Sequence, residues 1–450
     1  MDIALIAQMA AAAVLAAVIY TVIGIVPGTD ETAVLVPITL VLVLTGVQPV
    51  VVLAFFISAV VANNLMDSIP AAVAGIPGGV MTSPLVDHAL ALKKHGLANL
   101  SIRKMAAGSF LGVLVSVPVS LLLAKSLIPF ASAIKEYANP LFLAGAVLLS
   151  LMSKNKWLAL ASILPFSLLI EGLRYLYWGT GAVPKDTMVS ISFFLGITIG
   201  PVILTLFELL NWDKRESLKR FEAKKIVLKN NSYERKQLNP FHVMDKRECA
   251  TGMLASVIGC FTFILSPVGV TTFLGELFAS RIKDPVKKAS VAIVGMNGLA
   301  NATYISGALI PLIALGIPLS PVAIGPANAL FNAPPVFTLK HNMHHILSGG
   351  DFVWATIIGT GIGIVITYFI AIKYAQPICA FVFKKVPHEA ILGLFFGLVL
   401  LLAYMDAGWM NVFGVLLIGI ISGTLHRWGV NYGIMFMTLY SAPWLVTLFH

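Results

Sequence analysis

Long stretches of this chain carry no formal charge. Residues 3–29, 105–124, 187–207, 249–275, 352–372 and 428–450 contain no Asp, Glu, Lys or Arg, and 289–339 runs for 51 residues without one. The apolar positions are continuous and do not alternate, so they predict helices and not the strands of a barrel. A hydrocarbon core of about 30 Å needs about 20 helical residues, which each run can supply. The pattern predicts an all-α polytopic membrane protein with about 10–12 membrane-embedded helices. The first run lacks a basic leading segment and is longer than a signal-peptide core, so it reads as a retained helix.

The punctuation of these runs repeats. Ile69-Pro70, then Gly75-Ile76-Pro77, recurs as Ile310-Pro311, then Gly316-Ile317-Pro318. Val26-Pro27-Gly28 has a looser counterpart in Ser266-Pro267-Val268-Gly269, and Asn63-Asn64 one in Asn301. Matched landmarks at matched spacing predict a duplication.

Charge divides the copies. The segment 211–248 holds 11 of the 30 Lys and Arg and 6 of the 20 Asp and Glu, half of the net charge of +10. It reads as a basic cytoplasmic loop between a first transmembrane repeat, 1–210, and a second, 249–450. Its location points to lipid headgroups and not to nucleic acid. In the first copy Lys93, Lys94, Arg103 and Lys104 follow the Gly-Ile-Pro element; in the second, Arg281, Lys283, Lys287 and Lys288 precede it. If basic loops share one side, equivalent loops lie on opposite faces, which predicts two inverted-topology repeats with broken or re-entrant half-helices, a secondary-transporter architecture.

Paired breaks at corresponding places are where such proteins bind solute. Pro removes a donor and stops the helix, Gly allows the turn, and the freed N–H groups suit a carboxylate. The candidate substrate-binding residues are Gly75, Pro77, Gly78, Gly79, Thr82, Ser83, Asn301, Gly316, Pro318 and Ser320. Candidates for coupling to Na⁺ or H⁺ are Asp30, Asn63, Asn64, Asp67 and Asn297, polar groups inside or beside apolar runs. Asp30 and Glu31 also suit a helix N-terminus at an interface. The three scattered cysteines and His341, His344 and His345 do not compose a metal set, no cofactor motif occurs, and no catalytic constellation such as G-x-S-x-G or a P-loop is present.

Gly75-Ile76-Pro77-Gly78-Gly79, Asp87 and Lys93-Lys94-His95-Gly96 resemble the first signature of the tripartite tricarboxylate transporter large permease, the TctA family. Arg281 to Pro285, Gly298 to Ala302 and Gly307 through Pro318 resemble its second. Ala74, His88, Ala302 and Leu319 depart from the family pattern. The resemblance implies a gradient-driven importer of small carboxylates in a cell (plasma or inner) membrane. It also implies two partners, a small membrane subunit and an extracytoplasmic solute-binding protein. An intramembrane enzyme and an uncoupled channel for another small solute are the alternatives at this point.

Overall fold

The computed structural model describes residues 2–26, 31–75, 78–82, 84–153, 155–185, 190–211, 239–265, 267–385 and 388–448. Before the 211–248 segment the helices are α1 (Ile3–Ile23), α2 (Glu31–Leu44), α3 (Pro49–Met66), α4 (Ile69–Ala74), α5 (Leu85–Lys94), α6 (Ala98–Leu127), α7 (Ala131–Glu136), α8 (Ala138–Met152), α9 (Lys156–Gly179) and α10 (Ser190–Leu210). From its end onward come α11 (Pro240–Val243), α12 (Lys246–Phe261), α13 (Pro267–Ala279), α14 (Pro285–Ile310), α15 (Pro321–Ile324), α16 (Met343–Ile346), α17 (Gly349–Lys385), α18 (His388–Arg427) and α19 (Tyr432–Thr447). Among the described residues the only β pairing is two isolated bridges, Ala333 with Phe337 and Thr338 with His341.

Among the described residues seven helices are long and apolar enough to cross a membrane, and four shorter apolar helices accompany them. The protein is therefore an all-α, multi-pass membrane protein. The charge-free run 249–275 is two helices and not one span: α12 stops at Phe261, and Pro267 starts α13, as a residue without an N–H can only at a first turn. The 40-residue α18 is likewise two helices, interrupted at Ala407 (φ −151°) and Gly408 (φ 66°). Asn411 reaches back across this break, its amide nitrogen donating to the Ala403 carbonyl at 2.8 Å and to Ser192 Oγ at 2.7 Å.

Two spans differ from the rest in being surrounded by protein. The α3–α4 span and the α14 span are each 94% buried over their most apolar window, against 28% for α1. A helix that is apolar all round belongs inside a bundle. Around α3 stand α1 and α17. Ser58 Oγ donates to the Ala13 carbonyl at 2.7 Å, and Gly359 and Gly363 of α17 rest on Ala54 and Ser58. Around α14 stand α6 and α12. Gly108 and Gly112 of α6 meet Val294 and Gly298, while Gly252 and Gly259 of α12 meet Val294 and Leu299. Rising numbers meet rising numbers in each set, so the members of each set run the same way. Small residues permit these close crossings, the usual means of packing helices in lipid.

Lys93 Nζ, at the end of α5, donates to the Val73 carbonyl at 2.6 Å, so α6 starts beside the place where α4 stops. Two contacts then tie the halves of the chain where α6, α12 and α14 begin. Lys104 of α6 pairs with Glu248 of α12 at 2.5 Å, both buried, and His88 of α5 meets Glu276 of α13 at 2.7 Å. Removing one partner of a buried pair strands the other charge, at about 3–5 kcal/mol. Lys104→Met is expected to lower the thermal unfolding midpoint sharply, and Lys104→Met with Glu248→Leu to recover most of the loss. Equal losses in the single and double variants would show that the pair does not hold the halves together.

Candidate functional site

The first break follows from the order Asp67-Ser68-Ile69-Pro70. Asp67 ends α3, its N–H donating to the Asn63 carbonyl at 2.9 Å, and Ser68 Oγ donates to the Leu65 carbonyl at 2.7 Å. The short α4 then ends at Gly75 in the left-handed region (φ 75°), where its N–H donates to the Pro70 and Ala71 carbonyls. The chain returns, and the Gly78 N–H donates to the Asp67 carbonyl at 3.1 Å. Gly79 closes a small turn with Thr82, whose hydroxyl accepts from the Gly79 N–H at 3.2 Å and donates to its carbonyl at 2.9 Å.

The second break mirrors the first. After Ile310 the helix widens into a π turn, Pro311–Leu315, and stops at Gly316 in the left-handed region (φ 65°). The Gly316 N–H donates to the Pro311 carbonyl at 2.8 Å, as that of Gly75 does to Pro70. His344 Nδ1 lies 3.1 Å from both the Leu312 and Ile313 carbonyls, and Asn342 donates to the Gly316 carbonyl at 2.8 Å. Burial, with Lys135 nearby, lowers the His344 pKa, which suits a neutral ring with Nδ1–H as donor. Ser320 Oγ donates to the Gly307 carbonyl at 2.5 Å and accepts from the Ala323 N–H at 2.9 Å, fixing the chain as it enters α15. Pro318 is buried between them.

Beside the first break lies an unusual polar cluster. Asn63, Asn64 and Asp67 occupy one helical turn, and all three are at most 4% exposed. Asn63 Oδ1 and both polar atoms of the Asn64 amide have no hydrogen-bond partner among the described residues. The Asp67 carboxyl meets no backbone or amide donor among those residues; the group facing it is Glu31, the first residue of α2, itself 3% exposed. Two carboxylates enclosed together repel, so a stable arrangement needs a proton or a cation with them.

Glu31 has a second face. It lines a cavity of about 90 Å³ with Met81 from the first half and Tyr304, Pro321, His426 and Tyr432 from the second. His426 stacks on Tyr432, ring centroids 4.0 Å apart, and its Nδ1 is 3.2 Å from the Val430 carbonyl. No Lys or Arg is among the lining residues.

The structure thus brings Asn63, Asn64 and Asp67 together and sets Gly75, Gly78, Gly79 and Thr82 in the turn beside them. Asn297 and Asn301 stand elsewhere, where α14 crosses α6; each donates its amide nitrogen back to its own helix, to Ile293 and to Asn297. Asp30, Pro77 and Ser83 lie outside the described residues. Glu31 was read from the sequence as an interfacial helix-start acid, and its burial against Asp67 corrects that reading. Nothing in the sequence could reveal the contact, because the signal is a long-range approach of two segments.

An all-helical bundle with two buried, broken helices and a cavity shared by both halves of the chain has the architecture of a membrane permease. The family model for the tripartite tricarboxylate transporter TctA family matches residues 10–436 of the 450, and the chain belongs to that family. It is thereby a transporter permease, from a family that works in tripartite systems with other subunits and a binding protein. No match was found among curated proteins or solved structures.

Proposed function

We propose that this permease imports small carboxylates, tricarboxylate-like, in symport with Na⁺ or H⁺ across the plasma or inner membrane. In this reading the solute enters the cavity between the halves, and the coupling ion enters the cluster at the first break. The observation that carries it is the double position of Glu31. An anionic solute beside an ionised Glu31 is repelled, and a positive charge placed between Glu31 and Asp67 removes that repulsion. Ion binding is then the condition for solute binding, which is what symport requires.

The same reading takes 1–210 and 249–450 as repeats of opposite orientation joined by the cytoplasmic 211–248 loop. Three features support it. Gly75 and Gly316 end matching helices with the same left-handed turn. Helix α3 packs on α17 of the second half, and α14 on α6 of the first. With α6 starting beside the end of α4, the α3 and α14 sets would run in opposite directions, as inverted repeats require. In this reading transport proceeds as one half rocks against the other. A small membrane subunit and an extracytoplasmic binding protein complete the system.

The test is uptake of labelled di- and tricarboxylates into proteoliposomes under imposed Na⁺ or H⁺ gradients, with and without the partner subunits. Wild type is expected to accumulate solute only with a gradient. Glu31→Gln, which removes the repulsion permanently, is expected to exchange solute across the membrane but to lose gradient-driven accumulation. Full accumulation by Glu31→Gln would remove Glu31 from the coupling.

A further inference from the structure

We infer that the cluster at the first break is a Na⁺ site, with Asp67 as its charged ligand, the Asn63 and Asn64 side-chain oxygens as neutral ligands, and Glu31 closing it on the cavity side. The inference rests on the symport reading above and narrows its coupling ion. A proton would need only the carboxyl pair: it can sit between Glu31 and Asp67 and leave nothing for an amide to do. The amides are what require explanation. Asn63 and Asn64 are 3% and 4% exposed, and neither side-chain oxygen has a donor among the described residues. An amide oxygen enclosed without a partner is unfavourable, yet it is a good ligand for a hard cation, which takes oxygens and no nitrogens.

The spacing makes the site. Asn63 and Asp67 are four apart and Asn64 and Asp67 three apart, so both amides flank the Asp67 carboxyl on one turn of α3. The helix ends here, and Asp67 is its last residue before the break. A C-terminal helix end carries partial negative charge, which favours a cation. Gly24, at the end of α1, closes on the Asn63 carbonyl and Met66 from the other side; a Cβ at Gly24 would stand 3.1 Å from each. Glu31 approaches from α2. Among the described residues the charged group that faces Asp67 is the Glu31 carboxyl, and the Asn63 and Asn64 amides stand on the same turn of α3.

Asymmetry between the halves strengthens the case. Helix α14 contains no Asp or Glu. Its asparagines bond back to their own helix through nitrogen, and although Asn301 Oδ1 also lacks a donor among the described residues, no carboxylate stands on that helix to supply a charged ligand. The ion-binding chemistry lies in the first half, and the second half supplies most of the named cavity wall, Tyr304, Pro321, His426 and Tyr432. A monovalent ion fits a transport cycle better than a divalent one, because it must leave the site as readily as it enters.

Purified full-length protein in nanodiscs, in choline buffer, is titrated with NaCl, KCl, CaCl₂ or acid while the thermal unfolding midpoint is read. Na⁺ is expected to raise the midpoint in a saturable way, and K⁺, Ca²⁺ and acidification to fail to substitute for it. Asn63→Ala and Asn64→Ala are expected to raise the Na⁺ concentration for half effect by about tenfold or more. Asn63→Asp, which keeps an oxygen in place, is expected to retain the response. That variant answers the objection that alanine merely disturbs the fold. A Na⁺ response untouched by both alanine variants would place the site elsewhere, and a response equal for K⁺ would overturn Na⁺ as the ion. Uptake separates this from the broader reading. Carboxylate accumulation driven by a pH gradient in Na⁺-free buffer would overturn the Na⁺ site and leave the symporter standing. A Na⁺-specific midpoint shift that the alanine variants weaken, without uptake of any carboxylate, would uphold the ion site and defeat the carboxylate assignment.

Discussion

Gly78→Ala is expected to abolish transport and to lower the unfolding midpoint, although it adds a single methyl group. A Cβ at Gly78 would lie 2.1 Å from the Asp67 carbonyl oxygen, 2.7 Å from its carbon and 2.8 Å from its Cα. These are backbone atoms at the end of a buried helix, so no side chain can rotate away. The Gly78 N–H is bonded to the same oxygen. Making room therefore breaks that hydrogen bond and pushes the returning chain off the break. Overpacking a buried position and leaving a buried carbonyl unpaired together amount to about 3 kcal/mol or more. The displaced group is the backbone of Asp67, so the damage reaches the ion cluster as well as the fold. Gly172→Ala in α9 is the control: a Cβ there meets nothing within 4 Å, and the change favours the helix. Uptake and thermal unfolding measured on both variants check the contrast. A Gly78→Ala protein that transports normally would mean that the returning chain does not rest on Asp67 in the working molecule.

The breaks were legible because Pro and Gly act on the backbone directly. Ile-Pro followed by Gly-Ile-Pro predicted a helix end in each half, and both ends occur at the matched glycines, Gly75 and Gly316, each bonded to the matched proline. Charge-free runs announced most of the helices for a similarly local reason. What escaped was long-range or compensatory. Glu31 reads as a helix-start acid, and it does start α2, but only the fold brings it to Asp67. The histidines around 344 suggested metal chemistry to be dismissed; the structural task of His344, serving carbonyls released at the second break, has no sequence signature. Gly408 looks like any glycine in an apolar run, yet it interrupts α18. Thr82 and Ser320 are candidate solute-binding residues by sequence, and their local bonding has no sequence signature either. Their hydroxyls bond the local backbone, the habit of Ser and Thr wherever a helix end leaves groups free.

Asp67→Asn is expected to stabilise the protein in Na⁺-free buffer while reducing gradient-driven uptake by about a hundredfold, the equivalent of roughly 2.7 kcal/mol. The two effects share a cause. Without a cation, Asp67 and Glu31 are two acids enclosed together at the end of a helix, and Asp67 meets no backbone or amide donor among the described residues. An amide of the same shape removes one charge and its repulsion, which favours the folded state by about 1–3 kcal/mol. The same change removes the charged ligand, so no ion enters, Glu31 keeps its charge, and an anionic solute is repelled from the cavity. Added Na⁺ should therefore raise the wild-type midpoint and leave that of the variant flat, and the two curves should cross as Na⁺ increases. Binding sites that must hold a charge are commonly held at the expense of stability, and the crossing is the sign of such a site. Were Asp67→Asn less stable than wild type in the absence of Na⁺, the carboxyl would be satisfied in the resting protein by some other group. Its role would then be that of a helix-end anchor and not an ion ligand.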